Sequence, residues 1–156
     1  MLTPPGLAAT TIIGCLHDHY GLRISQVIFL PIGADTNSAV YRIDADDDTS
    51  YFLKLRRGHF DEVTVAVPAF LHAKDIRQVI APIATITDQL WVHAHGFDWI
   101  LYPFFEGQNG YEVALSESQW GALGESMRAV HTTHVPGGLR SRLRREAFAP
   151  RWRRIV

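Results

Sequence analysis

The pattern of apolar and polar positions divides the first part of the chain into one helix and three strands. Apolar residues at helical spacing predict an amphipathic helix over residues 8–20, which Gly21 ends. Three segments of strand-forming residues follow, and the short polar turns between them predict an antiparallel meander. These segments are "QVIFLPI" (26–32), "SAVYRIDA" (38–45) and "YFLKLR" (51–56).

The middle of the chain predicts a second helix and a second group of strands. An acidic start indicates a helix over 61–75, in which Pro68 is expected to cause a kink or a later start. Strand patterns follow at 89–95 and 98–105, joined by a glycine-containing turn, and 81–87 is a further strand candidate. This order predicts an α+β fold, a five-stranded antiparallel sheet with one helix inserted after the third strand.

A last helix is predicted near the end of the chain. Ser116 and Gln119 have the spacing of a capping box, and "PGG" (136–138) is expected to close the helix. Its apolar residues repeat on one face and are expected to lie in a core, namely Trp120, Leu123, Met127 and Val130.

Composition and charge exclude several classes of protein. With 156 residues, 47% of them hydrophobic and 20% charged, the chain is expected to form one compact globular unit. Residues 139–156 hold seven arginines against the single Glu146, which indicates a solvated helix face or a surface that packs on an absent partner. A contact with nucleic acid or with a membrane surface is the alternative. Cys15 is the one cysteine, so a reducing, cytoplasmic setting is predicted. No signal peptide or membrane-spanning segment is apparent.

Lys54 is the residue whose position most needs an explanation. It stands inside the apolar segment "YFLKL", in a chain with two lysines and thirteen arginines. An unpaired ammonium would be costly in such a strand, so the sequence predicts either a carboxylate partner or an anionic ligand. The alternative is a structural lysine of an edge strand, whose ammonium reaches water.

Several stretches and their order resemble a known family. The chain is similar to the aminoglycoside phosphotransferases, which have a protein-kinase-like fold, and most similar to their spectinomycin phosphotransferase members. The stretches that carry the resemblance are "GADTNSAVYRI" (33–43), "SYFLKLRRGHFDE" (50–62), "WILYPFFEGQNGY" (99–111), "QWGALGESMRAVHTTHVP" (119–136) and "REAFAPRWRRIV" (145–156). The resemblance implies a nucleotide-binding N-terminal lobe over 1–105, and over 106–156 a hinge or linker and the first helix of an incomplete C-terminal lobe.

The resemblance also implies roles for individual residues. Lys54 would hold the α- and β-phosphates of ATP or GTP, and Glu62 would orient Lys54. The loop that would lie over the phosphates consists of Gly33, Ala34, Asp35, Thr36, Asn37 and Ser38. The hinge that would meet the base consists of Tyr102, Pro103, Phe104 and Phe105. Because Pro103 has no N–H, the donor to the base is expected from a later residue.

The catalytic loop that the family's reaction needs does not appear in this sequence. His59-Phe60-Asp61 has the first three residues of the loop but precedes the hinge, and no aspartate follows Asp98. The expectation is therefore a chain that is inactive alone, with no catalytic residue and no metal ligand of its own. The Mg²⁺ ligands and the antibiotic acceptor site, which would give antibiotic resistance, are expected in a missing lobe, and the uncovered interlobe face is expected to cause self-association.

Two other readings of the sequence stay open. One is a lobe of a small-metabolite kinase, of the choline or homoserine type, since the acceptor site lies mainly outside these residues. The other is a non-enzymatic α+β binding module that uses its arginine-rich end as a contact surface.

Overall fold

Antiparallel pairing joins the strands into one sheet. The structure is a computed structural model, and it describes residues 4–32, 35, 37–108, 110 and 112–144. Within them, five strands pair in the order β1-β2-β3-β5-β4. The strands are β1 (Ile24–Leu30), β2 (Ser38–Ala45), β3 (Ser50–Arg56), β4 (Val92–Ala94) and β5 (Phe97–Pro103). The helices are α1 (Ala9–Tyr20), α2 (Val63–Ala73), α3 (Glu117–Thr132) and α4 (Gly137–Arg140).

Helix α1 covers one face of this sheet. Its apolar stripe is buried, and Gly21 ends it at φ 68°, a left-handed conformation that glycine adopts without strain. The main core cluster combines the stripe with alternate residues of the three central strands. Its buried members are Ile12, Cys15, Leu16, Tyr20, Tyr41, Ile43, Leu53, Leu55, Phe97, Trp99 and Leu101. The predicted first helix is therefore confirmed.

The strands agree with the predicted meander, with differences at their ends. Strand β1 ends at Leu30, and the prediction of 26–32 ran too far because Pro31 has no N–H to donate to a neighbouring strand. The strand candidate at 81–87 is wrong. That segment is irregular, although the N–H of Ile83 donates to the carbonyl of Leu101 at 2.7 Å.

The hairpin of β4 and β5 has a two-residue turn. His95 and Gly96 both have positive φ, at 51° and 75°, and Ala94 pairs with Phe97 across them. Two successive positive φ values match the twist of antiparallel strands in a tight hairpin. As a result β4 is shorter than the predicted 89–95, and His95 lies in the turn.

Helix α2 passes through its proline without interruption. The carboxylate of Asp61 accepts a hydrogen bond from the N–H of Val63 at 3.1 Å, which supports the start of the helix. Pro68 is in the interior and removes one helical hydrogen bond. The helix begins at Val63, two residues after the predicted start and five before the proline, and it ends at Ala73, two residues before the predicted end.

Helix α3 has the predicted start but not the predicted burial. The Ser116 hydroxyl accepts from the N–H of Gln119 at 3.3 Å, and the Gln119 side chain accepts from the N–H of Ser116 at 2.8 Å, a complete capping box. Three of the four residues of its apolar stripe are exposed, with Trp120 at 59% and Met127 at 53% of full exposure, and Val130 is half-buried, so the expected place of the stripe in a core is wrong.

The end of α3 also differs from the prediction. The helix ends at Thr132, before the "PGG" stretch, and Pro136 instead precedes the short helix α4. Proline suits that position because its fixed φ is compatible with a helix start. No helix in the described part of the chain is both long and apolar enough to cross a membrane.

Candidate functional site

One face of the central strands packs against α1, and the other face carries the candidate site. Side chains alternate along a strand, so Leu53 and Leu55 lie in the core against α1, whereas Phe52 and Lys54 face the other side. The register pairs Phe52 with Tyr102 on β5, and the two rings meet edge to face at 6.4 Å. The side of the sheet away from α1 therefore carries the lysine together with an aromatic pair.

A cavity of about 650 Å³ opens on this side of the sheet. Its lining is mostly apolar, and among the described residues that form it Lys54 is the one charged side chain. Such a combination of apolar walls and one placed charge is typical of small-molecule sites. The lining residues are Leu30, Ile32, Phe52, Lys54, Ile80, Tyr102, Pro103, Phe104 and Phe105.

Lys54 is half-buried between apolar neighbours. Across the strands it pairs with Val40 on one side and Ile100 on the other. Among the described residues no carboxylate lies within 4.0 Å of its ammonium, and no hydrogen bond to it is present. The described residues therefore provide no carboxylate partner for Lys54, and the anionic ligand stays a prediction. The alternative of an edge-strand lysine is wrong, because β3 is the central strand of the sheet.

Glu62, the residue expected to orient Lys54, has a different partner. Its carboxylate accepts a hydrogen bond from Arg142 at 2.7 Å, and both side chains are about half-exposed. Arg144 lies 3.9 Å from the neighbouring Asp61. The orienting role of Glu62 stays a prediction, and the structure does not bring Glu62 and Lys54 together.

Part of the predicted phosphate loop has a defined geometry. Asp35 accepts from the N–H of Asn37 at 3.0 Å and from the Ser38 hydroxyl at 2.7 Å. The Ser38 bond is the main reason why the pKa of Asp35 lies below its usual range, and the charges of Arg56 and Lys54 lower this pKa further. The other three loop residues, Gly33, Ala34 and Thr36, lie outside the described residues.

The predicted hinge residues lie at the end of β5 and directly after it, and they form one wall of the cavity. Pro103 has no N–H, and the N–H of Phe104 donates to the carbonyl of Ser50 at 3.2 Å. The N–H of Phe105 has no partner among the described residues, and its side chain is 65% exposed. Of the predicted hinge residues, Phe105 is therefore the one whose N–H has no partner within the described part of the chain.

Other cavity residues were not predicted from the sequence. Phe52 could have been found from strand alternation, because it is two positions from Lys54 and so shares its face. Leu30, Ile32 and Ile80 give no local signal, since their place depends on how separate segments meet. Among the described residues no group of three or more His, Cys, Asp or Glu could hold a metal ion.

Comparisons with known proteins were made at three levels. No protein-family model matches the chain, and no curated protein does. Among solved structures, spectinomycin phosphotransferase, APH(9)-Ia, in complex with ADP and spectinomycin is similar, with a TM-score of 0.86 and 36% identity. The match covers 97% of this chain and 46% of that one. The resemblance to the N-terminal part of an aminoglycoside phosphotransferase is confirmed.

Two further structures agree with this result. The AMP-bound complex of the same phosphotransferase has a TM-score of 0.80 and 34% identity, and the match covers 96% of this chain and 45% of that one. Amicoumacin kinase hAmiN in complex with AMP-PNP, Ca²⁺ and Ami has a TM-score of 0.59 and 16% identity over 93% of this chain and 46% of that one, a likeness of fold alone. The chain thus has the kinase-like aminoglycoside phosphotransferase fold and spans slightly less than half of these proteins.

Proposed function

We propose that this chain is the nucleotide-binding part of an ATP-dependent phosphotransferase that acts on an aminoglycoside-type antibiotic resembling spectinomycin. The observation that carries the proposal is the position of Lys54, a half-buried ammonium without a described carboxylate partner, in the wall of an apolar cavity closed by the hinge. A nucleotide has the complementary chemistry, since its base is flat and apolar on both faces and its phosphates are anionic.

Each part of the site has a role in this proposal. The aromatic residues Phe52, Tyr102 and Phe104 would pack against the base, and the free N–H of Phe105 would donate to its edge. Lys54 would bind the phosphates, for which a flexible point charge is suited. The similar structures contain ADP, AMP or AMP-PNP, which supports an adenine nucleotide over a guanine one.

The described residues give less support to a binding site for Mg²⁺ or for the antibiotic acceptor than to one for the nucleotide. The described residues bring no three metal-ligating side chains together, so they do not by themselves fit a Mg²⁺ site. We propose that Mg²⁺ and the antibiotic are held by residues that this sequence does not contain. No aspartate follows Asp98, so we expect this chain alone to bind ATP without transferring its phosphate.

Isothermal calorimetry with ATP and with adenosine tests the proposal. Removing a charged partner of a phosphate costs about 1.5–3 kcal/mol, which is roughly a tenfold to hundredfold loss of affinity. We expect Lys54→Ala to show this loss for ATP and little change for adenosine. Lys74→Ala is the matched control, since Lys74 is the chain's other lysine and lies exposed at the end of α2.

Two results would contradict the proposal. One is a wild-type chain that binds no ATP although it is folded by circular dichroism. The other is an equal ATP affinity in Lys54→Ala and Lys74→Ala, which would mean that Lys54 is a structural lysine of the sheet.

A further inference from the structure

Arg42 forms a cluster that joins the hinge to the sheet. It lies on β2, on the same face as Lys54, and the register pairs it with Phe52 in the cavity wall. Its guanidinium donates to Asp44 at 2.9 Å, to the Ser50 hydroxyl at 3.2 Å and to Glu106 at 2.7 Å. One side chain thus reaches β2, β3 and the segment that follows β5.

The same guanidinium also covers a ring of the cavity wall. The Arg42 guanidinium carbon lies 4.8 Å from the centre of the Phe104 ring, a cation–π distance. Phe104 is further held by its N–H, which donates to the carbonyl of Ser50. Ser50 therefore accepts from Phe104 with its backbone carbonyl and from Arg42 with its hydroxyl. The ring and the N–H of Phe104 thus both contact members of the same cluster.

Asp44 fixes the guanidinium in place. It accepts from the Ser50 hydroxyl at 2.6 Å as well as from Arg42, and the Asp44 side chain is only 21% exposed. Glu106, in contrast, is 79% exposed, and exposed ion pairs contribute little. The orientation of Arg42 over Phe104 is therefore set mainly by Asp44 and Ser50.

We propose that Arg42 is a positioning residue, which holds Phe104 in the cavity wall and thereby sets the affinity for the base of the nucleotide. Arg42 does not line the cavity, so it acts through the Phe104 ring and through the free N–H of the next residue, Phe105. The inference rests on the proposed function, because it needs a nucleotide whose base meets the hinge.

The test measures ATP affinity, backbone protection and stability in the same variants. We expect Arg42→Ala to bind ATP about tenfold more weakly than wild type and to show faster amide hydrogen exchange at Phe104 without ligand. Arg42→Lys keeps the charge but not the planar fork, so it should recover part of the ATP affinity. Glu106→Gln should stay within about twofold of wild type, since its contact is exposed.

A competition experiment separates positioning from general loss of structure. Inorganic triphosphate is expected to bind through Lys54, and its Kd, obtained from displacement of ATP with each variant's own ATP affinity taken into account, should be the same in Arg42→Ala as in wild type. Arg128→Ala, which removes an exposed arginine of α3, is the matched control and should change neither affinity nor exchange. The free energy of unfolding, from urea titration, shows whether a variant is still folded under the conditions of binding.

The possible results distinguish this inference from the proposed function. If wild type binds ATP and Arg42→Ala binds it within twofold as well, the positioning role is overturned while the nucleotide site stands. If ATP and triphosphate weaken equally, Arg42 acts through stability and the inference is also overturned. If wild type binds no ATP, the proposed function fails. The proposed effect of Arg42 on ATP affinity then fails as well, even if Phe104 exchanges faster in Arg42→Ala than in wild type.

Discussion

Truncation of two adjacent residues of β3 is expected to reduce two different quantities, the stability of the fold in one case and the nucleotide affinity in the other. Leu53 is fully buried in the cluster beneath α1, whereas Phe52 lies on the other face and lines the cavity. Replacing either residue by alanine removes apolar atoms from the same strand. We therefore expect Leu53→Ala to reduce stability and Phe52→Ala to reduce nucleotide affinity.

The magnitudes follow from what each side chain contacts. Leu53 pairs with Tyr41 and Leu101 across the strands, and a buried leucine truncated to alanine costs about 2–5 kcal/mol. Phe52 borders an open cavity, and its edge-to-face contact with Tyr102 contributes about 0.5–1.5 kcal/mol. Loss of its ring from the binding surface should cost about 1.5 kcal/mol of binding, roughly tenfold in affinity.

Urea unfolding and ATP calorimetry measure the two quantities in each variant. Far-UV circular dichroism is a suitable signal of unfolding, because tryptophan fluorescence would combine the fully buried Trp99 with three other tryptophans, of which Trp120 is exposed. The reasoning is refuted if Phe52→Ala loses as much stability as Leu53→Ala. It is also refuted if Phe52→Ala binds ATP as tightly as wild type, because the cavity would then not be the nucleotide site.

Three other predictions concern acid, thiol chemistry and association. Hydrogen bonds from Ser50 and then Arg42 hold the pKa of Asp44 below its usual range, so its stabilisation is complete above about pH 4 and is lost as pH falls through the folded-state pKa. Urea unfolding at decreasing pH should show less acid sensitivity in Asp44→Asn, and an unchanged acid sensitivity would contradict this. Burial raises the pKa of Cys15 to about 11, so a disulfide reagent should react slowly until urea is added, and rapid reaction of the folded chain would contradict it. Trp120→Gln should reduce self-association in sedimentation measurements, because the stripe of α3 exposes large apolar side chains, and equal association in both forms would exclude that surface.

The sequence predicted those elements in which apolar spacing and a stop signal agree. Helix α1 has both a buried stripe and Gly21, and β2 has alternating residues between two turns, so both were found at nearly the observed bounds. The segment 81–87 has strand-forming residues but makes single backbone hydrogen bonds and no strand pairing. No local sequence pattern distinguishes such a segment from a paired strand. The stripe of α3 predicted burial because spacing indicates an apolar face without indicating what covers it.

The site was predictable only where a residue is unusual in its own segment. Lys54 is such a residue, since an ammonium inside an apolar strand needs an explanation. Arg42 is not, because an arginine on an alternating strand is expected to face solvent. Its contacts with Phe104 and Glu106 join residues far apart in the chain. Such contacts depend on the tertiary arrangement and have no sequence pattern of their own.

The pairing of β3 with β5 has a consequence for the folding kinetics. Leu53 pairs with Leu101, so α2 and a long irregular segment must be looped out before the two strands meet. Closing such a loop costs chain entropy before any contact compensates for it, and long-range pairing of this kind slows folding. Because Lys54 comes from one of these strands and Tyr102 from the other, the proposed nucleotide site is complete only after the two strands have paired. A bound nucleotide should therefore slow unfolding while leaving the folding rate almost unchanged.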